Sequence, residues 1–303
     1  MLHASASATD RRRAFRAGLA STRLLRFPGA FNPLCALLIE QLGFDGVYLS
    51  GAALSASLGL PDIGLTTLTE VAEKGHETAR VTHLPTLVDA DTGFGGAMSA
   101  ARSVQLFEEL GISGCHIEDQ VSPKRCGHLE GKQVVSTADM VTRITAAVRA
   151  RRDHDFVICA RTDARASEGV AGVIARARAY ADAGADLIFP EALTGAAEFD
   201  AVRKAVATPI LANMTEFGKT DLLDDTTLSS LGINVVIYPV TLLRLAMGAV
   251  ERGLRSLLAD GSQKSLVAEM QTRSRLYEIL DYDAYTGFES SLPPDPASQE
   301  LPT

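Results

Sequence analysis

Apolar residues fall along the chain in two alternating patterns. Short, almost continuously apolar runs occur at residues 24–27, 46–50, 86–89, 114–118, 156–161, 187–190, 210–213 and 235–238. Runs this short, without polar alternation, mark parallel strands buried on both faces. Stretches with helical spacing lie between them. Residues 136–151 open with Ser136 and Asp139 three apart, a capping-box-like start, and then place Met140, Ile144, Ala147 and Val148 on one face. Residues 168–183 carry Val170, Val173, Ile174, Ala177 and Tyr180 at helical spacing, and Gly184 supplies the stop. Eight such units without a linker predict an α/β fold, a (β/α)8 TIM-type barrel over residues 10–260. The alternative is a doubly wound open sheet. Its dinucleotide fingerprint is missing, because Gly93, Gly95 and Gly96 are followed by Met98 where a small residue is needed.

Helical sequence continues past the eighth strand. A further amphipathic stretch at 262–280 puts Leu266, Met270, Arg273 and Tyr277 on adjacent turns. A barrel does not need it, so residues 261–289 are expected to form a C-terminal helical extension that covers a partner subunit. Residues 1–9 and the Pro/Ser-rich 290–303 are expected to be disordered.

With 46% hydrophobic and 22% charged residues in 303, the chain can build a core and is not disordered overall. Its formal net charge of −8 argues against nucleic acid or an anionic membrane as partner. No apolar run approaches the ~18 residues of a membrane span. Residues 1–8 have no signal-peptide core. Arg11, Arg12, Arg13 and Arg16 raise an organellar transit peptide, but the pattern runs straight into an amphipathic helix. The expected location is cytoplasmic. Of the four cysteines, Cys35, Cys115 and Cys159 sit in apolar runs, where a small buried thiol is the simple reading, and no C-x-x-C pair occurs.

Chemistry belongs at the strand C-terminal ends. There the sequence places Ser50 and Gly51, Asp89 and Asp91, Glu118 and Asp119, Arg161, Glu191, Asn213 and Thr215, and Arg244. Asp89 and Asp91 are two apart, so both reach the same side of one strand. Two such carboxylates repel, and a hard divalent cation removes the conflict, with Glu118 reaching it through water. Helix caps or a proton-sharing pair would explain the same two residues. Between Pro123 and Gly131, Cys126 is flanked by Lys124, Arg125 and His128. Neighbouring cations favour a thiolate or a shared proton, which makes Cys126 a candidate acid, base or nucleophile on a loop. An incidental exposed cysteine is the plainer account. Arg161, Arg244 and Arg273 offer forks for a polyanionic substrate, or simply ion pairs with acidic neighbours.

The segments DADTGFG (89–95), IEDQ (117–120), KRCGH (124–128), ARTDA (160–164), FPEA (189–192), NMTEFG (213–218) and MQTR (270–273), with Tyr238-Pro239-Val240 and Arg244, together resemble the 2-methylisocitrate lyase family. That family lies in the isocitrate lyase/phosphoenolpyruvate mutase superfamily, and the likeness covers about residues 10–285. The resemblance implies a (β/α)8 barrel, Mg²⁺ with Mn²⁺ as a substitute, and a homotetramer with a swapped C-terminal helix. By motif, it implies Asp89 and Asp91 as metal carboxylates, with Asp62 and Glu118 supporting through water. Ser50, Gly51 and Ala52 correspond to the keto-acid stretch, where the family has Ser-Gly-Gly and this chain departs at Ala52. Cys126 and Gly127 match the catalytic loop, with Arg125 and His128 beside them. Arg161, Glu191, Asn213, Thr215, Arg244 and Arg273 match substrate-binding positions. The implied reaction splits 2-methylisocitrate into pyruvate and succinate, a step of the methylcitrate cycle in propionate catabolism. Tyr48 is the base suggested for the hydroxyl proton, and Cys126 the donor to the succinate carbon. The alternatives are relatives acting on isocitrate, 2,3-dimethylmalate or oxaloacetate, and, more remotely, a non-catalytic organic-acid-binding protein. Cys126 argues against a phosphonomutase.

Overall fold

The computed structural model describes residues 4–125, 127 and 131–293. Among these, eight strands form: β1 (Leu25–Pro28), β2 (Val47–Leu49), β3 (Thr86–Asp89), β4 (Gly114–Glu118), β5 (Val157–Thr162), β6 (Leu187–Pro190), β7 (Leu211–Asn213) and β8 (Val235–Tyr238). β2 to β6 pair in sequence, and β7, β8 and β1 pair in a second run. Every ladder is parallel. Single bridges from Gly29 to Tyr48 and from Ile188 to Ile210 join the two runs, so the sheet closes into the predicted barrel. The strands fall within one residue or so of the predicted runs.

The period of two along each strand sorts residues between two cores. Leu25, Phe27, Tyr48, Leu87, Val157, Cys159, Leu187, Phe189, Leu211, Val235 and Ile237 pack together inside the barrel. Their neighbours Val88, Cys115, Ile117, Ile158, Ala160, Ile188, Ala212 and Val236 pack outward against the helices. Parallel strands covered on both sides need both sets apolar, which is why they read as unbroken runs.

Helix Ala8–Leu19 closes the bottom of the barrel. Ser7 caps it by accepting from Asp10 N–H, and Phe15 enters the interior core with its ring centroid 5.0 Å from that of Phe27. Two of the arginines considered above as targeting signals have structural partners here. Arg12 donates to the Ile112 carbonyl and to Asp153, both at 2.9 Å, and Arg16 pairs with Asp186 at 2.6 Å. The order therefore starts before residue 10. Ala4 N–H donates to the Arg80 carbonyl, and Ser5 bonds His83.

The region after β8 differs from a single amphipathic stretch. Helix Thr241–Asp260 ends at Gly261, whose φ of 62° is the left-handed stop that favours glycine. A 3₁₀ turn follows at Lys264–Glu269, then helices Arg273–Ile279 and Tyr282–Ser291. The break falls at residues 270–272, where Thr272 turns to cap the next helix through Arg275 N–H. The last helix runs two residues past 289, so Ser290 and Ser291 are helical. The long helix fully buries no side chain within this chain, only packing Leu242 partly against the core, and it exposes Leu245, Met247, Val250, Leu254, Leu257 and Leu258. Among the described residues, no helix is long and apolar enough to cross a membrane.

Candidate active site

The residues that face the barrel interior change character at its upper end. On β3 the inward series runs Leu87, Asp89, Asp91. On β4 it reaches His116 and Glu118. On β5 it passes from Val157 and Cys159 to Arg161 and Asp163. On β6 it passes from Leu187 and Phe189 to Glu191. β3, β5 and β6 thus carry apolar side chains into the core and ionisable ones onto the C-terminal rim, and β4 turns only His116 and Glu118 inward, at the end where this fold places its chemistry. A cavity of about 90 Å³ opens there, bounded by Tyr48, Ser50, Ala52, Asp62, Asp89, Lys124, Gly127, Arg161, Glu191, Asn213, Thr215 and Arg244 among others.

The carboxylates are held from several directions. Asp89 Oδ2 accepts from Gly51 N–H at 3.1 Å, and Oδ1 accepts from Asp91 N–H at 3.0 Å. A methyl at Gly51 would stand 2.8 Å from Asp89 Oδ2, so a glycine is needed where the backbone meets the carboxylate. Ser50 caps the short helix Gly51–Ser57 through Ala53 N–H. Asp91 sits at φ 45°, a left-handed conformation costly for a non-glycine residue and typical of functional loops. Lys124, almost fully buried, forms an ion pair with Asp62 and lies 2.9 Å from Asp91 Oδ1.

Burial pushes the Asp91 carboxyl up to about 6, with the Asp89 charge adding to the rise and Lys124 opposing it. Burial also acts to raise Asp89, but His116 at 3.6 Å, then Lys124 and Arg161, and the Asp91 N–H together outweigh it and keep this carboxyl low. Glu118 is raised well above its ordinary value by burial, and neither of its carboxylate oxygens has a hydrogen bond. Burial disfavours the Lys124 ammonium, yet Asp89, Glu118, Asp91 and Asp62 overcome this and hold it charged.

Arg161 forms the opposite wall. Its guanidinium donates to Asp163 at 2.9 and 3.1 Å, approaches Glu118 at 3.3 Å and Glu191 at 3.7 Å, and lies over Phe189. Asn213 Nδ2 donates to both Glu191 oxygens at 3.3 Å. Arg244 reaches the mouth, where Glu216 and the Phe217 ring hold it.

The residues present fit a hard divalent cation. Among the described residues no group of three or more His, Cys, Asp or Glu is placed to cage a metal alone. Two adjacent carboxylates with a third, Glu118, buried and lacking hydrogen bonds, match a cation that takes few protein oxygens and completes its shell with water and substrate.

Tyr48 lines the cavity. Burial raises its hydroxyl well above the ordinary phenol value, and it bonds His116 Nε2 at 2.8 Å. Burial drives His116 down to about 4, so it is a neutral imidazole. Arg125 turns outward, exposed, into a separate groove with Ile63, Leu65 and Val121, and does not line the cavity. Arg273, at the start of its helix, is exposed and is not among the cavity residues of its own chain. Cys126 and His128 lie outside the described residues. Sequence reasoning did not select His116 or Lys124 as site residues. His116 shares the inward parity of Glu118, and Lys124 opens the KRCGH segment, so both signals were present.

Barrel topology and an acidic, arginine-walled rim together define an enzyme class that handles small carboxylates. The phosphoenolpyruvate phosphomutase family model matches residues 15–258, and the chain belongs to that family. It is 60% identical over 284 residues to a protein of Corynebacterium glutamicum named "Probable 2-methylisocitrate lyase 2", covering 94% of this chain and 92% of the relative. Solved structures with the same fold include a 2,3-dimethylmalate lyase at TM-score 0.84 and 34% identity, covering 95% of this chain and 96% of that one. A phosphonopyruvate hydrolase bound to oxalate and Mg²⁺ superposes at TM-score 0.85 with 30% identity, covering 93% of this chain and 98% of that one.

Proposed function

We propose that this protein is a carbon–carbon lyase that cleaves 2-methylisocitrate to pyruvate and succinate. The observation that carries the reading is the 60% identity over 94% of the chain to a relative of that name. The rim residues supply a consistent chemistry. Asp89 and Asp91 would hold Mg²⁺, with Glu118 and Asp62 reaching it through water. When bound, the ion supplies Lewis acidity and a template for the hydroxyl and carboxylate of the half that becomes pyruvate.

The chain's own residues do the rest. Ser50, Gly51 and Ala52 receive the keto-acid half. Arg161, Asn213, Thr215 and Arg244 hold substrate carboxylates, and Glu191 braces Asn213 and Arg161. A carboxylate of the rim takes up the substrate's hydroxyl proton, the oxygen closes to the pyruvate carbonyl, and the electron pair of the breaking C–C bond passes to the succinate carbon. Cys126 returns a proton to that carbon, with His128 setting its protonation. Tyr48, held as a phenol, donates a hydrogen bond rather than removing the proton.

The test is pyruvate release from purified protein with Mg²⁺, with 2-methylisocitrate, isocitrate, 2,3-dimethylmalate and oxaloacetate compared side by side. The expected result is a clear preference for 2-methylisocitrate, lost with EDTA and regained with Mg²⁺. A methyl group is worth about 1–3 kcal/mol in such a pocket, so weak cleavage of isocitrate agrees with the reading. Preference for another acid, or turnover untouched by chelation, would overturn it.

The exposed apolar face of helix Thr241–Asp260 is read as an assembly surface, with the C-terminal helices exchanged in a homotetramer. Arg273, remote from its own cavity, would then serve a neighbouring copy. Light scattering should give four chains per particle; a single chain in solution would exclude the exchange.

A further inference from the structure

One buried cation has no role in the reading above. Lys132 lies beyond the KRCGH segment, with its side chain only 4% exposed. Its ammonium donates to Asp163 Oδ1 at 2.8 Å and also to the backbone carbonyl of Gly127. Asp163 is the same carboxylate that grips the Arg161 guanidinium through two hydrogen bonds. It is anchored in turn, since its backbone N–H donates to Asp119 Oδ1 at 2.8 Å. Asp119 Oδ2 accepts from Tyr180 at 2.7 Å and Arg176 at 3.2 Å. The acceptor for Lys132 is therefore a fixed point in the barrel, not a surface group.

Gly127 is where this anchorage meets the cavity. It lines the cavity, and a methyl on it would stand 2.3 Å from Arg161 Nη2 and 2.7 Å from Glu191 Cγ. Its backbone is pressed directly against two proposed substrate-binding side chains. Surface fastening does not require a lysine desolvated to this degree; burying an ammonium costs several kcal/mol unless it is well paired. Here the pairing ties one segment of backbone to the carboxylate that orients Arg161.

We infer that Lys132 is a positioning residue: through Asp163 and the Gly127 carbonyl it sets the distance between the Gly127 backbone and Arg161, and so the shape of the cavity wall there. The inference rests on the lyase reading for its kinetic consequence, but not for its structural one. Removing the ammonium leaves the Gly127 carbonyl without its donor, while Asp163 keeps Arg161. The wall loosens while Arg161 remains charged and paired.

The experiment compares wild-type protein with Lys132→Met, Lys132→Gln and Lys132→Arg. Three readouts are taken: thermal unfolding, tryptic cleavage after the exposed Arg125, and steady-state cleavage of 2-methylisocitrate with Mg²⁺. Misplacement of about 1 Å beside reacting groups costs on the order of 100-fold, so K132M should lose about that much, mainly in kcat rather than KM. K132R, which keeps a charged donor, should recover most of it. Cleavage after Arg125 should rise about tenfold in K132M through easier local opening, while the global melt is retained. K132Q, which keeps one donor, is expected to fall between, and it decides the matter should K132M unfold. Turnover of K132M within about threefold of wild type would overturn the inference. So would lost turnover with an unchanged cleavage rate. A wild-type protein that does not split 2-methylisocitrate would overturn the lyase reading instead, and the proteolysis comparison would still judge Lys132.

Discussion

Asp89→Asn is expected to lower pyruvate release by at least about 10³-fold, or ~4 kcal/mol of transition-state stabilisation. The change is nearly isosteric, so the loss comes from chemistry rather than volume. Both Asp89 oxygens already accept backbone N–H groups, from Gly51 and from Asp91. An amide offers one acceptor and sets two donors against the other N–H, so the variant loses the charge and also disturbs the turn that aims Asp91. Mg²⁺ titration of pyruvate binding by calorimetry separates this from general damage: binding should weaken together with turnover. Near-normal rates at ordinary Mg²⁺ would remove Asp89 from the metal site.

Cys126→Ser is expected to cut turnover by about 10³-fold as well, but by a different route. A serine hydroxyl keeps the size and remains a far weaker acid than a thiol among cations, so it donates poorly to the succinate carbon. The carboxylates proposed to hold Mg²⁺ are unchanged in this variant, because Asp89, Asp91 and Glu118 come from β3, β4 and the turn after β3. Mg²⁺-dependent pyruvate binding should therefore survive in Cys126→Ser where it fails in Asp89→Asn. The two variants together separate the carboxylate side from the proton-donating side. A Cys126→Ser enzyme at near-normal rate would exclude the thiol as donor.

Much of the barrel was legible because its signal is local. A strand covered on both faces must be apolar at every position, and β3, β4, β6 and β8 match the predicted runs residue for residue. The site was legible for a related reason. Asp89, Glu118, Arg161 and Glu191 stand out as ionisable residues at the ends of apolar runs, and strand parity then turns them to one side. Less was legible where partners are distant in sequence. Tyr48 looked like a base until its hydroxyl was seen against His116, in a burial that holds it as a phenol. Lys124 looked like one charge in a basic loop, yet it is a buried counter-ion to Asp62 and Asp91. Arg125, one residue on, faces outward. Adjacent residues on a loop have no fixed periodicity, so their directions cannot be read from spacing.

The C-terminal region shows the same limit. Helical spacing ran through 262–280, but Thr272 capping and the break at 270–272 divide it. The sequence by itself determined the closed parallel barrel, its apolar interior and the acidic and basic residues on its rim, because each follows from a two- or four-residue period and from burial on both faces. Only the tertiary structure decided which of those charges pair. Hydrogen bonds such as Lys132 to Asp163 and Tyr48 to His116 join residues 31 and 68 positions apart, and their strength depends on desolvation that exists only once the barrel has closed.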